Sequence, residues 1–296
     1  MTDNKKYRYI DREKSWLAFN ARVLQEAADP TVPLLDRLRF LGIFSNNLDE
    51  FFRVRFAAIR RLSLSGKASE KVLGGVSAQQ LVKDITKIVI QQQSESLRIL
   101  NIIETQLAKE NVFIINENEI SKEQEIFIRD YFIQKVSPAM VTLILNDLAE
   151  FPLLLDTSGY LAVKLVMKTP KNSEDIFPEI RYAIIEIPKT LNRFVVLPAD
   201  DDKQSIIMLD DVIRNNLKSI FSIFDYESVS AHMIKITRDA ELDIDSDMSK
   251  SIIQKIATSV RDRRIGEPVR FVYDQSIEKD TLNYFLTHMQ INASDS

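Results

Sequence analysis

Residues 33–55 read PLLDRLRFLGIFSNNLDEFFRVR. Apolar residues recur here at steps of three and four, the spacing of one face of an α-helix, at Leu34, Leu38, Leu41, Phe44, Leu48 and Phe51. Proline is tolerated in the first turn of a helix, so the pattern predicts a helical region that opens near Pro33. Weak helix formers at Ser45-Asn46-Asn47 predict an interruption, with Ser45 as the cap of a new helix that runs to about Arg61.

The segments on either side are also predicted to be helical. Asp11 is a good N-cap for a helix that should end at Asp29-Pro30, because the residue before proline avoids the helical conformation. Residues 77–110 contain no glycine and no proline, and at 1.5 Å per residue such a helix would span roughly 50 Å. Residues 1–107 are therefore predicted to form an all-helical domain.

After about residue 111 the pattern becomes mixed. Val112–Ile115 is a short β-rich run, and Ser121 should cap a helix that runs to about Gln134. Alternating or apolar segments predict strands at Tyr160–Met167, Arg181–Ile187, Arg193–Leu197, His232–Thr237 and Val269–Tyr273. Further helices are predicted at about residues 246–263 and at Lys279–Met289.

The order of these elements indicates the fold class. Strands and helices follow one another without regular βαβ spacing, which favours an α+β domain with a mostly antiparallel sheet over residues 108–296. The prediction for the whole chain is an N-terminal all-helical domain followed by this α+β domain. The predicted helices are too few to cover both faces of the sheet, which suggests self-association.

Composition excludes several classes of protein. The chain has 296 residues, 45% hydrophobic and 28% charged, as is usual for soluble globular proteins. It contains no cysteine, which excludes disulfides, thiolate metal sites and a cysteine nucleophile, and which fits a cytoplasmic location. We expect no signal peptide and no transmembrane segment, because no run approaches the ~20 apolar residues that a spanning helix requires.

The charge is unevenly distributed along the chain. Residues 1–110 carry a formal charge of +5, and the remainder carries −9. A basic half suggests an anionic ligand such as phosphates or nucleic acid, although chance variation between domains explains the asymmetry equally well. The sequence contains no glycine-rich phosphate loop, no Gly-x-Gly-x-x-Gly and no His-Glu-x-x-His, so the residues alone predict no function.

Four blocks carry a resemblance to a known family. They are IDREKSWLAFN at 10–20 with its continuation RVLQEA at 22–27, the stretch 33–55 quoted above, MIKITRDAELD at 233–243, and RRIGEPVRF at 263–271. Together they resemble the large, phosphohistidine type of bacterial polyphosphate kinase. The resemblance runs from about residue 8 to the last residue, and the block at 33–55 is its most specific part. Lys14 stands where the family usually has leucine, a change of surface type.

The resemblance implies that this chain is the N-terminal portion of an ATP:polyphosphate phosphotransferase. Such an enzyme reversibly transfers the terminal phosphate of ATP to polyphosphate through a phosphohistidine. Residues 1–107 would cover the nucleotide, and residues 108–296 would form the head domain used for self-association. The catalytic C-terminal domains, with the phosphorylated histidine, would be absent, so the chain alone is expected to be inactive and to hold no catalytic residue.

The same resemblance implies the ligands and partners. ATP is the expected substrate, and Mg²⁺ is implied for the parent enzyme with no ligands in this chain. The expected partners are ATP, polyphosphate and further copies of the chain in a homo-oligomer, with no nucleic acid; peripheral membrane association stays open. A rival hypothesis is a non-enzymatic module that binds nucleotide or anions, or that only self-associates.

Asn47 is the residue that the resemblance ties to ATP. It matches the family position whose side chain contacts adenine, and a carboxamide offers both the donor and the acceptor that an adenine edge needs. The residues alone favour a different role, a cap for a helix that begins at Leu48. Helical spacing places four residues on one face: Asn47, Glu50, Val54 and Arg61.

The densest basic run comprises Arg53, Arg55, Arg60 and Arg61. Guanidinium groups bind phosphate in a bidentate fashion, so these arginines are candidate phosphate contacts. The alternative is a solvated helix face on which Arg53 pairs with Asp49.

Other titratable residues are weaker candidates. Asp239, Glu241 and Asp243 could bind magnesium, but a polar strand end with caps explains them better. His232 alternates with apolar residues and is predicted to lie half-buried in a sheet, and His288 falls in the last turn of a helix. Neither histidine is predicted to be a nucleophile, and no metal site is predicted.

Overall fold

The computed structural model describes residues 11–64, 76–169, 177–199, 202–240 and 266–291. The chain divides into two compact units. The first comprises Met1–Leu107 together with Arg238–Val269, and the second comprises Ala108–Thr237 together with Arg270–Ser296. The domain bounds 1–107 and 108–296 stay a prediction.

The first unit is built on helices. They are α1 (Arg12–Ala28), α2 (Leu34–Glu50), a π-helical segment (Phe51–Phe56), α3 (Ala57–Leu64) and α4 (Ala78–Lys109). The Asp11 carboxylate accepts hydrogen bonds from the backbone N–H groups of Glu13 and Lys14, as expected of the predicted cap. α1 ends at Asp29, and α4 is a single helix of 32 residues, so both of these predictions are confirmed.

The predicted interruption of α2 is wrong. The helix continues through Ser45-Asn46-Asn47 to Glu50, and Ser45 caps nothing. Phe44 and Leu48, on either side of the polar triplet, are buried. Burial of a large apolar side chain contributes about 1.5–3 kcal/mol, whereas a weak helix former costs at most about 0.7 kcal/mol, so packing outweighs local propensity. The irregularity comes later, in the π-helical segment.

The second unit contains most of the strands. The strands are β1 (Val112–Ile115), β2 (Val141–Ile144), β3 (Tyr160–Met167), β4 (Ile180–Glu186), β5 (Phe194–Val196), β6 (Gln204–Met208), β7 (Tyr226–Arg238) and β8 (Pro268–Tyr273). One sheet of the described residues has the order β2-β4-β3-β7-β8, and its pairs β2·β4, β3·β4 and β3·β7 are antiparallel. The other has the order β1-β6-β5, with β1·β6 parallel. The α+β class with an antiparallel sheet is confirmed.

The helices of this unit are α5 (Lys122–Tyr131), α6 (Leu209–Asn215), α7 (Leu217–Ile220) and α8 (Lys279–His288). Ser121 and Gln124 form a capping box at the start of α5, as predicted. The sequence missed β2, β6, α6 and α7, because short apolar runs do not distinguish a strand from a helix by period. The helix predicted at about residues 246–263 lies outside the described residues.

Apolar side chains pack on both faces of the larger sheet. Leu161, Val163 and Leu165 alternate along β3 and pack in a cluster with Ile128 of α5. Tyr160 and Ala162 point to the other face and share a cluster with residues of α8. The expectation that one face lacks a cover is therefore wrong. Among the described helices, none combines the length and apolar character needed to cross a membrane.

Candidate functional site

Asn47 lies in the last turn of α2 and is half-buried. Its Nδ2 donates a hydrogen bond of 3.0 Å to Oδ1 of Asn20, which is 0% exposed on α1. Asn20 in turn donates from Nδ2 to the backbone oxygen of Phe44, over 3.3 Å. No helix begins at Leu48, because α2 runs through this position, so the interpretation of Asn47 as a cap is wrong.

A cleft of about 530 Å³ lies in the same unit. It is lined by the start of α1, the end of α2, the π-helical segment, α3 and the start of α4, at residues Asp11, Arg12, Glu13, Trp16, Glu50, Phe51, Val54, Arg55, Ala58, Ile59, Leu62 and Leu81. The Trp16 ring stacks on Phe51, with ring centroids 5.0 Å apart and planes inclined by 24°. Glu50 lies three residues after Asn47, so the Asn47 side chain is about one helical turn away from the cleft.

A buried carboxylate organises the charges of the cleft. Glu13 accepts from Arg12 through Nε at 3.0 Å and through Nη2 at 2.6 Å, and Nη1 of Arg55 lies 3.8 Å from its other oxygen. The hydrogen bond to Glu13 raises the pKa of Arg12. With Asp11 and Glu50, three carboxylates face two guanidinium groups, a formal charge of −1. The cleft therefore suits a neutral ring or sugar better than a chain of phosphates.

The predicted helical face is only partly correct. Glu50 and Val54 do line the cleft, but they are followed at steps of four by Ala58 and Leu62, and not by Arg61. The π-helical segment widens the turns between residues 51 and 56, which rotates the side chains of α3 about the helix axis. Arg61 does not line the cleft and pairs with Asp239 instead.

The four arginines lie in different surroundings. Arg61 pairs with Asp239, and Arg60 lies 3.6 Å from Glu267. The N–H of Ala240 donates to the backbone oxygen of Arg53 over 3.0 Å. These contacts hold residues from late in the chain against the helices of the first unit. Arg55 is the arginine of the four that lines the cleft.

The histidines face acceptors. His232 Nδ1 lies 3.2 Å from Oγ of Ser276, and its Nε2 lies 3.1 Å from a carboxylate oxygen of Glu278. Each ring nitrogen of His232 therefore faces a neighbouring side chain, so neither nitrogen is directed toward an incoming phosphoryl group. His288 Nδ1 lies 2.8 Å from the backbone oxygen of Tyr284, at the end of α8.

The carboxylates considered for magnesium do not form a described site. Asp239 is engaged by Arg61, and Glu241 and Asp243 lie outside the described residues. Within the part of the chain that the structure describes, no three carboxylate or histidine side chains come close enough to hold a metal ion.

Asn20 is the residue that the sequence pattern did not single out. It falls in line with Leu17, Leu24 and Ala27, the buried face of α1, at steps of three and four. An amide on an otherwise apolar helix face must find a buried partner, because an unsatisfied polar group in the core is costly. The presence of an asparagine on the apolar face of α1 is therefore the feature of the sequence that could have identified Asn20.

Comparisons with known proteins match nearly the whole chain. The polyphosphate kinase N-terminal domain family matches residues 9–115, and the polyphosphate kinase middle domain family matches residues 123–296. The chain is 36% identical to a polyphosphate kinase of Yersinia pestis and 37% identical to one of Escherichia coli strain K12, over 97% of this chain and 41% of each relative. The crystal structure of polyphosphate kinase from Porphyromonas gingivalis is similar, with a TM-score of 0.75, 27% identity and coverage of 98% of this chain and 39% of that one. The chain thus spans about two-fifths of the length of these relatives.

Proposed function

Because this chain belongs to the polyphosphate kinase family, we propose that it forms the nucleotide-contacting and self-associating part of an ATP:polyphosphate phosphotransferase. The whole enzyme would move the terminal phosphoryl group of ATP to a histidine and then to the end of a polyphosphate chain, reversibly. A covalent intermediate of this kind divides one difficult transfer into two easier ones. A cytoplasmic location, with ATP and polyphosphate as ligands, belongs to the same proposal.

The observation that carries the proposal is the Asn47 amide. It is half-buried at the end of α2, and its hydrogen bond to the buried Asn20 gives it a defined orientation before any ligand binds. Preorganised polar groups bind better than mobile ones, because their ordering entropy has already been lost on folding. A preorganised carboxamide is what recognition of an adenine edge requires.

The charges of the neighbouring cleft support contact with the base rather than with the phosphates. Its acidic and basic groups nearly balance, and Trp16 contributes an aromatic ring to its wall. Among the four arginines of the Arg53–Arg61 run, Arg55 lines the cleft, whereas Arg60 and Arg61 lie beside the carboxylates of Glu267 and Asp239. In this proposal the first unit contacts the nucleoside end of ATP, and the transferred phosphate is held elsewhere.

Substitution of Asn47 in the full-length enzyme tests the proposal. Asn47→Ala removes the contact of the carboxamide with the base, worth about 1–3 kcal/mol in total, so the apparent affinity for ATP should fall roughly 5- to 150-fold. The base is remote from the reacting phosphorus, so KM should rise while kcat changes much less. Steady-state kinetics at varied ATP measures both, and polyphosphate binding should be nearly unchanged.

Asn46→Ala is the matched control, since Asn46 is the exposed neighbour of Asn47 on the same helix. Its KM for ATP should equal that of the parent enzyme. Thermal unfolding of both variants separates binding from folding. An Asn47→Ala enzyme with reduced stability and an unaltered KM would show that the residue has only a structural role.

Self-association of the second unit rests on two edge strands. On β2, Val141 and Leu143 are 54% and 37% exposed, and on β5, Phe194 and Val196 are 51% and 57% exposed. Exposed apolar edge strands are ready templates for pairing with another chain, and two-fold dimers are the commonest assembly. We infer that one of these edges joins two copies.

Light scattering of paired lysine variants tests this inference. Val141→Lys with Leu143→Lys changes the β2 edge, and Phe194→Lys with Val196→Lys changes the β5 edge. The parent chain should be dimeric at tens of micromolar, and one of the two double variants should be monomeric. A monomeric parent chain at that concentration would contradict the inference.

A further inference from the structure

We propose that Asn20 is a positioning residue that decides which end of the Asn47 carboxamide meets the nucleotide. The inference rests on the proposed adenine contact of Asn47 and adds a determinant of base specificity to it. Asn20 is fully buried on α1 and does not line the cleft. It would act through Asn47.

The hydrogen bonds of Asn20 fix its own orientation first. Its amide lies 3.3 Å from the backbone oxygen of Phe44 on one side and 3.0 Å from the Asn47 amide on the other. A backbone carbonyl oxygen only accepts hydrogen bonds, so the group turned toward Phe44 must be the NH₂ of Asn20. Oδ1 of Asn20 is then the atom that faces Asn47.

The orientation of Asn47 is determined by that of Asn20. Because Oδ1 of Asn20 can only accept, Asn47 must turn its NH₂ toward it. The backbone oxygen of Phe44 thus determines the orientation of both side-chain amides, Asn20 and Asn47. If either amide were turned over, two oxygens or two NH₂ groups would face each other.

This orientation has a consequence for the base. One N–H of Asn47 is committed to Asn20, and the Oδ1 acceptor and the second N–H are left for a ligand. A 6-aminopurine such as adenine places an amino donor beside a ring-nitrogen acceptor, which matches that pair. A 6-oxopurine places an acceptor oxygen where the amino group would be, and Asn47 could accommodate it only by turning over. Asn20 prevents that turn.

The test compares ATP with inosine triphosphate, which carries oxygen in place of the 6-amino group. The readout is the ratio of kcat/KM for the two nucleotides in the full-length enzyme. Asn20→Ala releases the Asn47 amide, so the preference for ATP should fall by roughly tenfold, with kcat for ATP little changed. If Asn20 has only a structural role, its loss should lower kcat/KM for both nucleotides by the same factor. The ratio of the two values would then stay unchanged.

Asn20→Asp is the conservative variant. Burial favours the neutral form of a carboxyl group, and that form can donate its O–H to Phe44 and accept from Asn47 as the amide does. Its preference for ATP should stay within about twofold of the parent enzyme. If Asn20→Ala fails to fold, this variant still decides, because a large loss of preference in a folded Asn20→Asp enzyme overturns the inference.

Asn47→Ala, measured in parallel, separates the two proposals. If Asn47→Ala raises KM for ATP but Asn20→Ala leaves the ratio unchanged, the adenine contact stands and the positioning role of Asn20 is refuted. If Asn47→Ala leaves KM for ATP unaltered, the proposed adenine contact itself fails. Loss of preference in both alanine variants, with retention in Asn20→Asp, is the result we expect.

Discussion

Arg37 is a buried arginine that joins three helices of the first unit. It lies on α2 and is 3% exposed. Its Nε donates to the backbone oxygen of Ala27 over 2.7 Å, and its Nη1 donates to Oε1 of Gln106 over 2.6 Å. Ala27 lies in the last turn of α1, where backbone oxygens lack helical partners and carry the negative end of the helix dipole. Arg37 therefore binds the end of α1 to α4.

The substitution Arg37→Met keeps most of the aliphatic volume and removes both hydrogen bonds. Each bond from a charged donor contributes about 1.5–3 kcal/mol, which gives a gross loss of roughly 3–6 kcal/mol. Removal of a buried charge relieves its desolvation penalty and offsets part of that loss. We expect the free energy of unfolding of this unit to fall by about 2–4 kcal/mol.

A urea titration monitored by tryptophan fluorescence measures the loss of stability in the first unit. Trp16 is the one tryptophan of the sequence, and it stacks on Phe51 within the first unit. With a typical m-value of about 1–3 kcal/mol per M, the midpoint should fall by roughly 1 M or more.

Arg39→Met is the matched control. Arg39 pairs with Asp36 at 2.7 Å, but its side chain is 77% exposed, and such surface pairs contribute little. Its midpoint should stay close to that of the parent chain. Equal midpoints for Arg37→Met and Arg39→Met would refute the reasoning about the buried guanidinium.

Asp211 and the two histidines give further tests. Burial raises the pKa of Asp211 from its ordinary value of 3.8 to about 7; the Arg214 ion pair opposes this rise, and the Asp210 carboxylate adds to it. The folded protein then keeps a proton that the unfolded chain releases, so the free energy of unfolding should fall between about pH 4 and pH 7, by at most about 1.4 kcal/mol per pH unit. Urea titrations at about pH 5 and pH 8 should give a smaller fall in Asp211→Asn, and equal falls in the two proteins would contradict the assignment. Incubation with terminally labelled ATP and Mg²⁺ should leave no acid-labile label on His232 or His288; stable label at either one, located by mass spectrometry, would overturn our account of their surroundings.

The sequence predicted the features of helices that depend on residues close together in the chain. Asp11 caps α1, Ser121 and Gln124 form their capping box, and α4 runs uninterrupted. Each depends on residues within a few positions of one another, where propensity and capping act directly. The family also followed from local blocks of residues, and the match covers 97% of the chain.

The arrangement around Asn47 depended on contacts between distant residues. Whether α2 breaks at Ser45 was decided by the burial of Phe44 and Leu48 and not by the weak helix formers between them. The local sequence does not show whether burial outweighs weak helix propensity, because the burial of Phe44 and Leu48 depends on which side chains of other helices pack against α2.

Long-range partners were likewise decided by the tertiary structure. Arg61 was expected on the nucleotide face and instead pairs with Asp239, far along the chain. Asn20 and Asn47 meet only because α1 and α2 pack together, and their hydrogen bond gives the candidate site its orientation. Periodicity predicts which face of a helix is buried, whereas the partner of a buried polar group is determined by the packing of the whole unit, since only the assembled core removes water and makes that partner necessary.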